Sequence, residues 1–449
     1  MAKVDWSVER REIERAIFGR RNEGHIDPSN ERMLALIDLL GQPQRAYRAI
    51  HITGTNGKTS TARMADELLR GFGLRVGRYT SPHLTKVTER IVIDGQPVDD
   101  QTFVEAYHQM LPLIEMVDAQ GPPLSFFEIV TALGFWIFAD TPIDVAVVEV
   151  GMGGTWDNTN VLDGEVAVVT PIGLDHTQYL GDSITAIATE KAGIIKPGAT
   201  AILASQPAEA AAVLLKRAVE VEAAVAREGL EFGAIDRNLA VGGQIVTFQG
   251  LGGTYEEVFL PLHGAHQAQN AALALAAVEA FFGVGAASGP LDVDVIRTSF
   301  AEVSSPGRLE SVRSAPTILV DAAHNPHGTT ALVAAMGEAF SFRRLIGVFA
   351  AMGDKDVKRM LELLEPVLDE VVVTQNGNFR ALDLDELAGI AVEVFGDGRV
   401  VVEPRLDDAI EAAVRLAEET GDNSIAGAGV LITGSVVTVG EARTLLGAT

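Results

Sequence analysis

A glycine-rich segment that carries a lysine is the part of the sequence best suited to chemistry. The segment "GTNGKT" spans residues 54–59, between an apolar stretch expected to be a strand (47–52) and a stretch with the apolar spacing of a helix (59–70). Backbone N–H groups at a helix N-terminus bind anions. Lys58 would neutralise phosphate charge, and the hydroxyl of Thr59 could reach Mg²⁺. The segment therefore predicts a phosphate-binding loop.

A plain strand-to-helix turn is the alternative for this segment. The usual G-x-x-x-x-G-K-[ST] pattern is not met, because Ile52 occupies the first glycine position, whereas the shorter form G-T-N-G-K-T is met. The position of Gly57, Lys58 and Thr59 at the junction between strand and helix favours the phosphate-binding interpretation.

Two further groups of polar residues follow predicted strands of the same region. Glu149 ends the apolar run "IDVAVVEVG" (143–151), where a carboxylate would lie beside a ligand crevice and could hold a Mg²⁺ ion that bridges phosphates. The alternative is an acid that only ends a strand. Asp175 and His176 follow the next run, "GEVAVVTPIG" (164–173), and His176 is a candidate metal ligand or acid–base group, although a lone histidine there is more often structural.

Other polar residues have a sufficient structural explanation from spacing alone. Glu190 and Lys191 lie on a predicted helix, where the pattern predicts an ion pair on a solvent-exposed face. In "SFFEIV", Ser125 and Glu128 form a capping-box pattern, and the two phenylalanines between them are expected in the core.

A second series of polar residues occurs in the C-terminal third of the chain. Arg308 in "PGRLE" could reach a phosphate, and Asp321, His324 and Asn325 follow a predicted strand in "DAAHNP". The segment "GDKD" (353–356) follows the next predicted strand. Each signal is weak alone, but together they place polar residues at the carboxyl edge of a second sheet, on the side that could face the first domain.

The elements that must position these residues alternate between strand-like and helix-like patterns. Apolar runs at 143–151, 164–173, 317–326, 344–353, 370–375 and 429–435 predict buried parallel strands, and a helix is predicted over 356–371. We therefore predict an α/β fold with two doubly wound domains, a mainly parallel P-loop ATPase-like sheet and a smaller Rossmann-like sheet. The break "SSPGRLESV" (304–312) divides residues 1–304 from 305–449, and 230–262 is expected to add a hairpin to the first domain.

Composition excludes several classes of function. The chain has 449 residues, and its 35 basic and 61 acidic residues give a net charge of −26, which disfavours broad contact with nucleic acid or an anionic membrane. Without cysteine there are no disulfides, thiolate metal sites or cysteine nucleophiles. The charged N-terminal stretch has no apolar signal core, and no stretch is long and apolar enough to span a bilayer. We expect a cytoplasmic monomer.

The motifs together resemble a known family. Their order is that of the folylpolyglutamate synthase/dihydrofolate synthase enzymes of the Mur ligase superfamily, and the resemblance covers nearly the whole chain. The motifs are "GTNGKT", "YTSPHL" (79–84), "ERI" (89–91), "FFE", "VEVGMGG", "DNTN" (157–160), "LDHTQYLG", "EKAGIIK", "HQAQN" (266–270), "PGR", "DAAHNP", "DKD" and "ITGS" (432–435).

The resemblance implies an ATP-dependent amide ligase. A carboxylate of a pterin-bearing substrate, dihydropteroate or a reduced folate, would attack the γ-phosphate of ATP to give an acyl phosphate. The amine of L-glutamate would then displace phosphate. The resemblance also implies Mg²⁺, with two ions expected, and K⁺, as well as a central-type ATP-binding domain over 1–304 and a glutamate ligase domain over 305–449.

The resemblance assigns roles to individual residues. It implies that Lys191 is carbamylated by CO₂. This replaces the solvent-exposed ion pair that the spacing of residues alone predicts for Lys191. The implied catalytic residues are Lys58, Lys191, His324 and Arg308. The implied nucleotide-binding residues are Gly54, Thr55, Asn56, Gly57, Lys58, Thr59, Ser60, Asn270, Arg308 and Asp321. The implied Mg²⁺ ligands are Thr59, Ser81, Glu149 and His176. The implied substrate-binding residues are Phe127, Glu128, Asp157, Lys355 and Ser435.

Some questions stay open from the sequence. Thr155 stands where many members carry a basic residue, and Thr59 stands where many carry glycine before a hydroxyl residue. The segment 19–33 is expected to contribute to pterin binding, but its residues do not decide between the two family activities. Another Mur-type carboxylate–amine ligase, a P-loop phosphotransferase and a nucleotide-gated switch are the alternative functions.

Overall fold

The computed structural model describes residues 5–20, 27–285, 287–419 and 427–448. These form two compact units. The first comprises Met1–Asn238, Ile245–Leu260 and Ala268–Val303, and the second comprises Leu239–Gln244, Pro261–Gln267 and Ser304–Thr449. The division of the chain into folding domains at residues 304 and 305 stays a prediction.

Within residues 5–20 and 27–227, helices and strands follow one another along the chain. The strands are β1 (Arg48–Thr53), β2 (Val76–Tyr79), β3 (Ile91–Ile93), β4 (Gln96–Pro97), β5 (Val145–Glu149), β6 (Val166–Val169), β7 (Thr200–Leu203) and β8 (Ala224–Arg227). The helices are α1 (Trp6–Phe18), α2 (Glu31–Leu39), α3 (Lys58–Gly71), α4 (Asp100–Asp118), α5 (Phe126–Asp140), α6 (Thr177–Leu180), α7 (Ile184–Ala192) and α8 (Ala208–Glu220). Short 3₁₀ helices span Pro43–Arg45, Val87–Arg90 and Asn158–Val161.

The first unit is built on an eight-stranded sheet in the order β4-β3-β2-β5-β1-β6-β7-β8. β1 pairs parallel with both β5 and β6, whereas β3 pairs antiparallel with β2 and β4. The apolar runs that predicted parallel strands form β5 and β6, whose residues are all buried, because both faces of the sheet are covered. The predicted mainly parallel sheet is confirmed.

Two apolar clusters cover this sheet. Side chains of α1, α2, α4 and α5 pack with strand residues such as Ala146 and Val148 in one cluster. Side chains of α7 and α8 pack with Ala167 and Val169 in the other. Val148 and Ala167 both pair with His51 of β1, so the two clusters lie side by side on the same face of the sheet.

The segment 230–262 forms three strands, not the single hairpin expected from its sequence. β9 (Gly233–Ala240), β10 (Gly243–Gln249) and β11 (Thr254–Leu260) form a sheet in the order β11-β10-β9. The hairpin prediction was wrong because a second turn, in which Gly250 N donates to Gly253 O (2.8 Å), brings in a third strand. Residues Leu239–Gln244 also belong to the second compact unit. Helices α9 (Ala265–Phe281) and α10 (Val293–Ala301) follow.

The second unit contains a six-stranded sheet in the order β12-β13-β17-β14-β15-β16. Among its described strands, β12 and β13 form the one antiparallel pair. Its strands are β12 (Glu310–Ser314), β13 (Thr317–Asp321), β14 (Arg344–Phe349), β15 (Glu370–Val373), β16 (Val400–Val402) and β17 (Ala428–Thr433). Its helices are α11 (Pro326–Ala339), α12 (Val357–Leu364), α13 (Leu384–Phe395), α14 (Leu406–Glu418) and α15 (Val436–Leu445), with a 3₁₀ helix at Asp397–Arg399. The predicted smaller Rossmann-like sheet is confirmed.

Helix α12 is shorter than the sequence predicts. A helix was expected over 356–371, but α12 ends at Leu364. Pro366 explains the difference, because a proline disfavours the helical conformation of the residue before it, and Glu370 already begins β15. Across the described parts of the chain, no helix combines the length and apolar character needed to cross a membrane.

Candidate active site

The glycine-rich segment forms the turn between β1 and α3, as the sequence predicts. Gly57 precedes the first residue of α3 with a left-handed backbone (φ 89°), and Gly54 has φ 145°. A Cβ at Gly54 would lie 1.8 Å from Thr170 Oγ1, and one at Gly57 would lie 2.3 Å from Asn270 Oδ1. Only glycine fits at either position.

Hydrogen bonds to the neighbouring strand end fix the shape of this loop. Thr170 Oγ1 donates to Asn56 O (2.7 Å), and Thr55 donates from its backbone N to Pro171 O (3.0 Å) and from Oγ1 to Gly173 O (3.0 Å). Ser60 lies buried in the first turn of α3. The loop is therefore preformed at the positive end of a fourteen-residue helix, which is where phosphate groups bind.

Glu149 meets two of the other predicted metal-binding residues. Thr59 Oγ1 donates to both carboxylate oxygens of Glu149 (2.9 and 3.0 Å), and the backbone N of Ser81 donates to Oε2 (3.2 Å). The side chain of Glu149 is almost completely buried. A buried carboxylate beside a hydroxyl at a phosphate loop has the oxygen donors that Mg²⁺ prefers.

The donor set fits Mg²⁺ bound together with a phosphate. In the described part of the chain, no group of three or more His, Asp or Glu side chains is arranged to hold a metal ion by itself. A Mg²⁺ ion at Glu149 would therefore need hydroxyl, water or phosphate oxygens to complete its coordination, as is usual for this ion. His176 has a left-handed backbone (φ 50°), and its Nε2 lies 3.9 Å from Asp175 Oδ2. The role of His176 as a ligand stays a prediction.

Two lysines converge on one carbonyl group of the loop. Lys58 Nζ donates to the carbonyl oxygens of Gly54 (3.1 Å) and Thr55 (3.2 Å), and Lys191 Nζ donates to Gly54 O (2.7 Å). Lys191 is only 4% exposed, so the solvent-exposed ion pair expected from spacing is wrong. The face of α7 that carries Lys191 packs against the loop and not against water.

The environment of Lys191 favours an uncharged amine. Burial, and then the positive charge of Lys58, lower the pKa of Lys191 to about 7. The carboxylates of Asp175, Asp157 and Glu190 oppose this shift. An amine that is neutral near physiological pH can act as a nucleophile, which an ordinary surface lysine cannot do at the same pH.

Thr155 makes neutral contacts at the position where a basic residue is common in the family that the motifs resemble. Its N and Oγ1 both donate to Glu190 O (2.9 and 3.2 Å). A Cβ at Gly193 would lie 2.2 Å from Thr155 Oγ1, so the site is closely packed. Burial raises the pKa of Glu190, whose Oε2 has no hydrogen-bond partner among the described residues.

The first turn of α5 carries two of the predicted substrate-binding residues. The capping box is confirmed: Glu128 N donates to Ser125 Oγ (3.2 Å), and Ser125 N donates to Glu128 Oε2 (2.8 Å). Arg32 Nε also donates to Glu128 Oε1 (3.1 Å). Phe127 is half-buried against Gly151 and forms an edge contact with Tyr79 (6.4 Å between ring centroids). The partner Arg32 was missed, since a separation of 96 residues leaves no local signal.

Asp157 holds the loop that follows β5. Its Oδ2 accepts from Met152 N (2.8 Å), and its Oδ1 accepts from the N and Oγ1 of Thr159 (2.9 and 2.5 Å). Burial raises the pKa of Asp157, and these hydrogen bonds oppose the shift. The observed contacts of Asp157 are therefore with its own loop, and its contact with substrate stays a prediction.

In the second unit, Asp321 ends β13 and is held by backbone donors. Its Oδ2 accepts from Leu309 N (2.8 Å), and its Oδ1 accepts from Ala323 N (2.8 Å). Burial raises the pKa of Asp321, whereas the charge of Arg308 lowers it. The structure thus brings the predicted nucleotide-binding residues Asp321 and Arg308 together.

Further predicted residues also follow strands of this second sheet. His324 Nδ1 lies 2.9 Å from Ala322 O, and Lys355 Nζ lies 3.8 Å from Asp354 Oδ2. Ser435 directly precedes α15 and caps it, since its Oγ accepts from Thr438 N (3.0 Å). These side chains lie at the carboxyl edge of the six-stranded sheet, as the sequence predicts for strand-end residues.

Asn376 is a residue of this edge that sequence reasoning missed. Its Nδ2 donates to Ser435 Oγ (3.3 Å) and to Thr438 Oγ1 (3.0 Å), and the side chain is buried. Its position directly after the predicted strand at 370–375 was the signal that could have identified it.

The sequence matches two family models and several related proteins. Residues 128–278 match the Mur ligase middle domain, and residues 307–436 match the Mur ligase glutamate ligase domain. The chain is 52% identical over 456 residues to the dihydrofolate synthase/folylpolyglutamate synthase of Mycobacterium tuberculosis, covering 97% of this chain and 93% of the relative. It is 35% identical over 347 residues to the Escherichia coli enzyme of the same name, covering 77% of each.

Solved structures show the same relationship. The M. tuberculosis folylpolyglutamate synthase complexed with ADP superimposes with a TM-score of 0.94 at 51% identity, covering 99% of both chains. E. coli FolC in complex with DHPP and ADP superimposes with a TM-score of 0.84 at 28% identity, also covering 99% of both chains. The chain therefore belongs to the dihydrofolate synthase/folylpolyglutamate synthase family of Mur-type ligases.

Proposed function

We propose that the protein is an ATP-dependent ligase that joins L-glutamate to dihydropteroate, to reduced folates or to both, and releases ADP and phosphate. The observation that carries the proposal is the meeting of the phosphate loop, the Thr59–Glu149 pair and the buried amine of Lys191 at one sheet edge. The relatives whose names state this activity share this architecture over nearly their whole length.

The reaction proceeds in two steps in this proposal. A carboxylate oxygen of the acceptor forms a bond to the γ-phosphorus as the bond from that phosphorus to the β-phosphate oxygen breaks, and ADP leaves. The amine of glutamate then attacks the acyl carbon, a tetrahedral intermediate forms, and phosphate leaves as the amine loses a proton. A carboxylate is a poor electrophile, so this activation by ATP is what makes the amide bond accessible.

The residues of the first unit serve the phosphoryl transfer. Lys58 and the N–H groups at the start of α3 bind and orient the phosphates, which is most of what phosphoryl transfer requires of a protein. Thr59 and Glu149 would hold Mg²⁺, with Ser81 and His176 as further ligands. The ion would neutralise charge on the phosphates when bound. A second Mg²⁺ ion and a K⁺ ion are part of the same proposal.

We also propose that Lys191 is carbamylated. Its neutral amine would attack CO₂, forming an N–C bond as one C–O π bond opens, and would release one proton, so that a neutral amine becomes an anionic carbamate. The pKa of about 7 supports the proposal because a large share of the amine is then unprotonated at neutral pH. A negative charge on residue 191 would also attract the ammonium group of Lys58, which otherwise lowers the pKa of Lys191 by repulsion.

The second unit supplies further groups in this proposal. Arg308 and Asp321 are the proposed nucleotide contacts of this unit, and Asn270 is a proposed nucleotide contact of the first unit. His324 would lie near the transferred phosphate or the incoming glutamate. Lys355 and Ser435 would bind substrate, and the strand-end placement of these side chains supports this assignment.

Pterin binding is assigned to the first unit. Phe127, Glu128 and Asp157 are the proposed contacts, and the half-buried ring of Phe127 supports a role in contacting a planar ligand. Within the segment 19–33, which was expected to contribute, residues 21–26 lie outside the described residues. Asn30 and Arg32 of this segment contact the loop at 155–158 and the first turn of α5.

The experiment that tests the function supplies each acceptor separately. Purified protein receives ATP, Mg²⁺, L-glutamate and either dihydropteroate or a reduced folate, and the products are identified by mass spectrometry. We expect ADP, phosphate and the glutamylated product in equal amounts. A phosphorylated acceptor without free phosphate would instead identify a phosphotransferase, and nucleotide binding without any product would identify a switch.

A further inference from the structure

A histidine in the central strand of the first sheet belongs to none of the roles assigned so far. His51 lies in the middle of β1 and is fully buried between β5 and β6. Its Nε2 lies 2.9 Å from Thr159 Oγ1, whereas its Nδ1 has no hydrogen-bond partner in the described parts of the chain. Burial and the nearby charge of Lys196 lower the pKa of His51 to about 3, so the ring is neutral at physiological pH.

The neighbouring hydrogen bonds determine which ring nitrogen carries the proton. Asp157 receives donors on both of its oxygens, from Met152 N and from the N and Oγ1 of Thr159. Since the hydroxyl proton of Thr159 points to Asp157, Thr159 Oγ1 must accept from Nε2–H of His51. The opposite direction would place a proton on Nδ1 and leave a buried donor without an acceptor, which is costly.

This chain of hydrogen bonds ends at the turn formed by residues 151–155. The turn is also held at Gly153, whose carbonyl accepts from Thr53 Oγ1 (2.7 Å) at the end of β1. Gly154 packs directly on α7, since a Cβ there would lie 2.5 Å from Glu190 O and 3.0 Å from Lys191 Cα. The turn is therefore clamped between the end of β1 and the backbone of Lys191.

We propose that His51 is a positioning residue of the ligase site. Its Nε2–H orients the hydroxyl of Thr159 toward Asp157, and the oriented Asp157 fixes the turn at 151–155 against the helical turn that carries Lys191. The amine of Lys191 is thereby kept at the phosphate loop. The inference rests on the proposed role of Lys191 and assigns His51 no contact with substrate.

Three variants test this role by keeping or removing the hydrogen-bonding groups of residues 51 and 159. His51→Gln keeps an N–H donor at a similar distance along the side chain, His51→Leu removes the donor, and Thr159→Val removes the hydroxyl while keeping the shape. We expect kcat to fall by about 10- to 100-fold in His51→Leu and in Thr159→Val, as for other residues that orient catalytic groups, with KM for ATP unchanged. His51→Gln should keep most of the wild-type kcat.

The matched control is His108→Leu, because His108 is half exposed and bonded only on the surface to Glu9 in the described structure. This control should be fully active. A native-like His51→Leu protein with wild-type kcat would overturn the proposal, and so would a His51→Gln protein as slow as His51→Leu.

The wild-type protein provides a test that does not depend on the folding of any variant. ¹⁵N-resolved NMR of the histidine rings should show His51 as the neutral Nε2–H form throughout the range in which an ordinary histidine titrates, around pH 6.5. An Nδ1–H form, or titration in that range, would contradict the inferred direction of the hydrogen bonds.

Comparison with Lys191→Ala separates this proposal from the one on which it rests. Full activity of His51→Leu beside an inactive Lys191→Ala would overturn the positioning role alone. Full activity of Lys191→Ala would remove the proposed role of Lys191 and the positioning role with it.

Discussion

Replacing Lys191 by arginine distinguishes a lysine that must react with CO₂ from one that only carries charge. Lys191→Arg keeps a cation of similar length, but a guanidinium stays protonated and cannot attack CO₂. We therefore expect Lys191→Arg to be as inactive as Lys191→Ala. A lysine in an ordinary surface ion pair predicts the reverse, because such a pair contributes only about 0–1 kcal/mol and arginine would replace it.

The size of the expected loss of turnover follows from the burial of the Lys191 amine. The pKa of Lys191 falls from 10.5 to about 7, so about half of the amine is neutral at pH 7. An exposed lysine with its ordinary pKa would be neutral in roughly one molecule in three thousand at that pH. Arginine removes the neutral amine altogether, and we expect turnover to fall by at least about 100-fold, as when a preorganised charged group is lost.

The assay measures phosphate release at saturating ATP, Mg²⁺, glutamate and acceptor, with and without added bicarbonate. The matched control is Lys216→Arg, whose side chain is 79% exposed and pairs with Glu220 on α8; this variant should be fully active. A short carboxylic acid should partly restore Lys191→Ala by occupying the vacated space. Turnover by Lys191→Arg close to that of the wild type would refute the carbamate.

Four further outcomes follow from the same site. Lys58→Ala should lose turnover by orders of magnitude while its circular dichroism stays native, since the lysine neutralises phosphate charge; normal turnover would remove the loop from the mechanism. Glu149→Gln should raise the Mg²⁺ concentration needed for activity, because an amide is a poorer ligand than a carboxylate; an unchanged Mg²⁺ titration would make Glu149 structural. Gly57→Ala should destabilise the fold by about 1–3 kcal/mol in urea unfolding, since it strains a left-handed backbone and crowds Asn270; unchanged stability would contradict this. The pKa of Lys191 is lowered on folding, so the unfolded chain binds more protons between pH 7 and 10.5 and the stability of CO₂-free protein should rise with pH there; Lys191→Met should lack that slope in urea unfolding at several pH values.

Local sequence patterns were sufficient to predict the fold and the part of the site formed by the phosphate loop and Glu149. The continuous apolar runs that became β5 and β6 have the residue types of parallel strands buried on both faces. Because such strands end at a common edge, the loop after β1, with Thr59 at the start of α3, was expected near Glu149 at the end of β5, and the hydrogen bonds between Thr59 and Glu149 confirm it.

The rest of the candidate site depends on packing between distant parts of the chain. Helical spacing placed Lys191 on a solvent-exposed face, since the sequence around it does not show that α7 lies against the phosphate loop. The pairing of Arg32 with Glu128 joins residues 96 positions apart, and the pairing of His51 with Thr159 joins residues 108 apart. In each case the two residues meet only when distant parts of the chain have folded together, so no local sequence pattern predicts the contact.

The resemblance to a known family indicated the activity and the roles of individual residues, which the spacing of apolar residues could not indicate. The ordered motifs identified the family before the fold was known, and the relatives bear this out over nearly the whole chain. Individual roles carried over with the motifs, such as His176 as a metal ligand, stay predictions until they are measured.

Transfer of an oxygen isotope tests the central claim, the acyl phosphate, most directly. The acceptor is labelled with ¹⁸O in the carboxylate that becomes the amide, and the phosphate released with ATP, Mg²⁺ and glutamate is examined by mass spectrometry. The mechanism predicts one ¹⁸O atom in each phosphate, because the carboxylate oxygen that attacks the γ-phosphorus leaves with it. Phosphate free of ¹⁸O, released together with the amide product, would contradict the account.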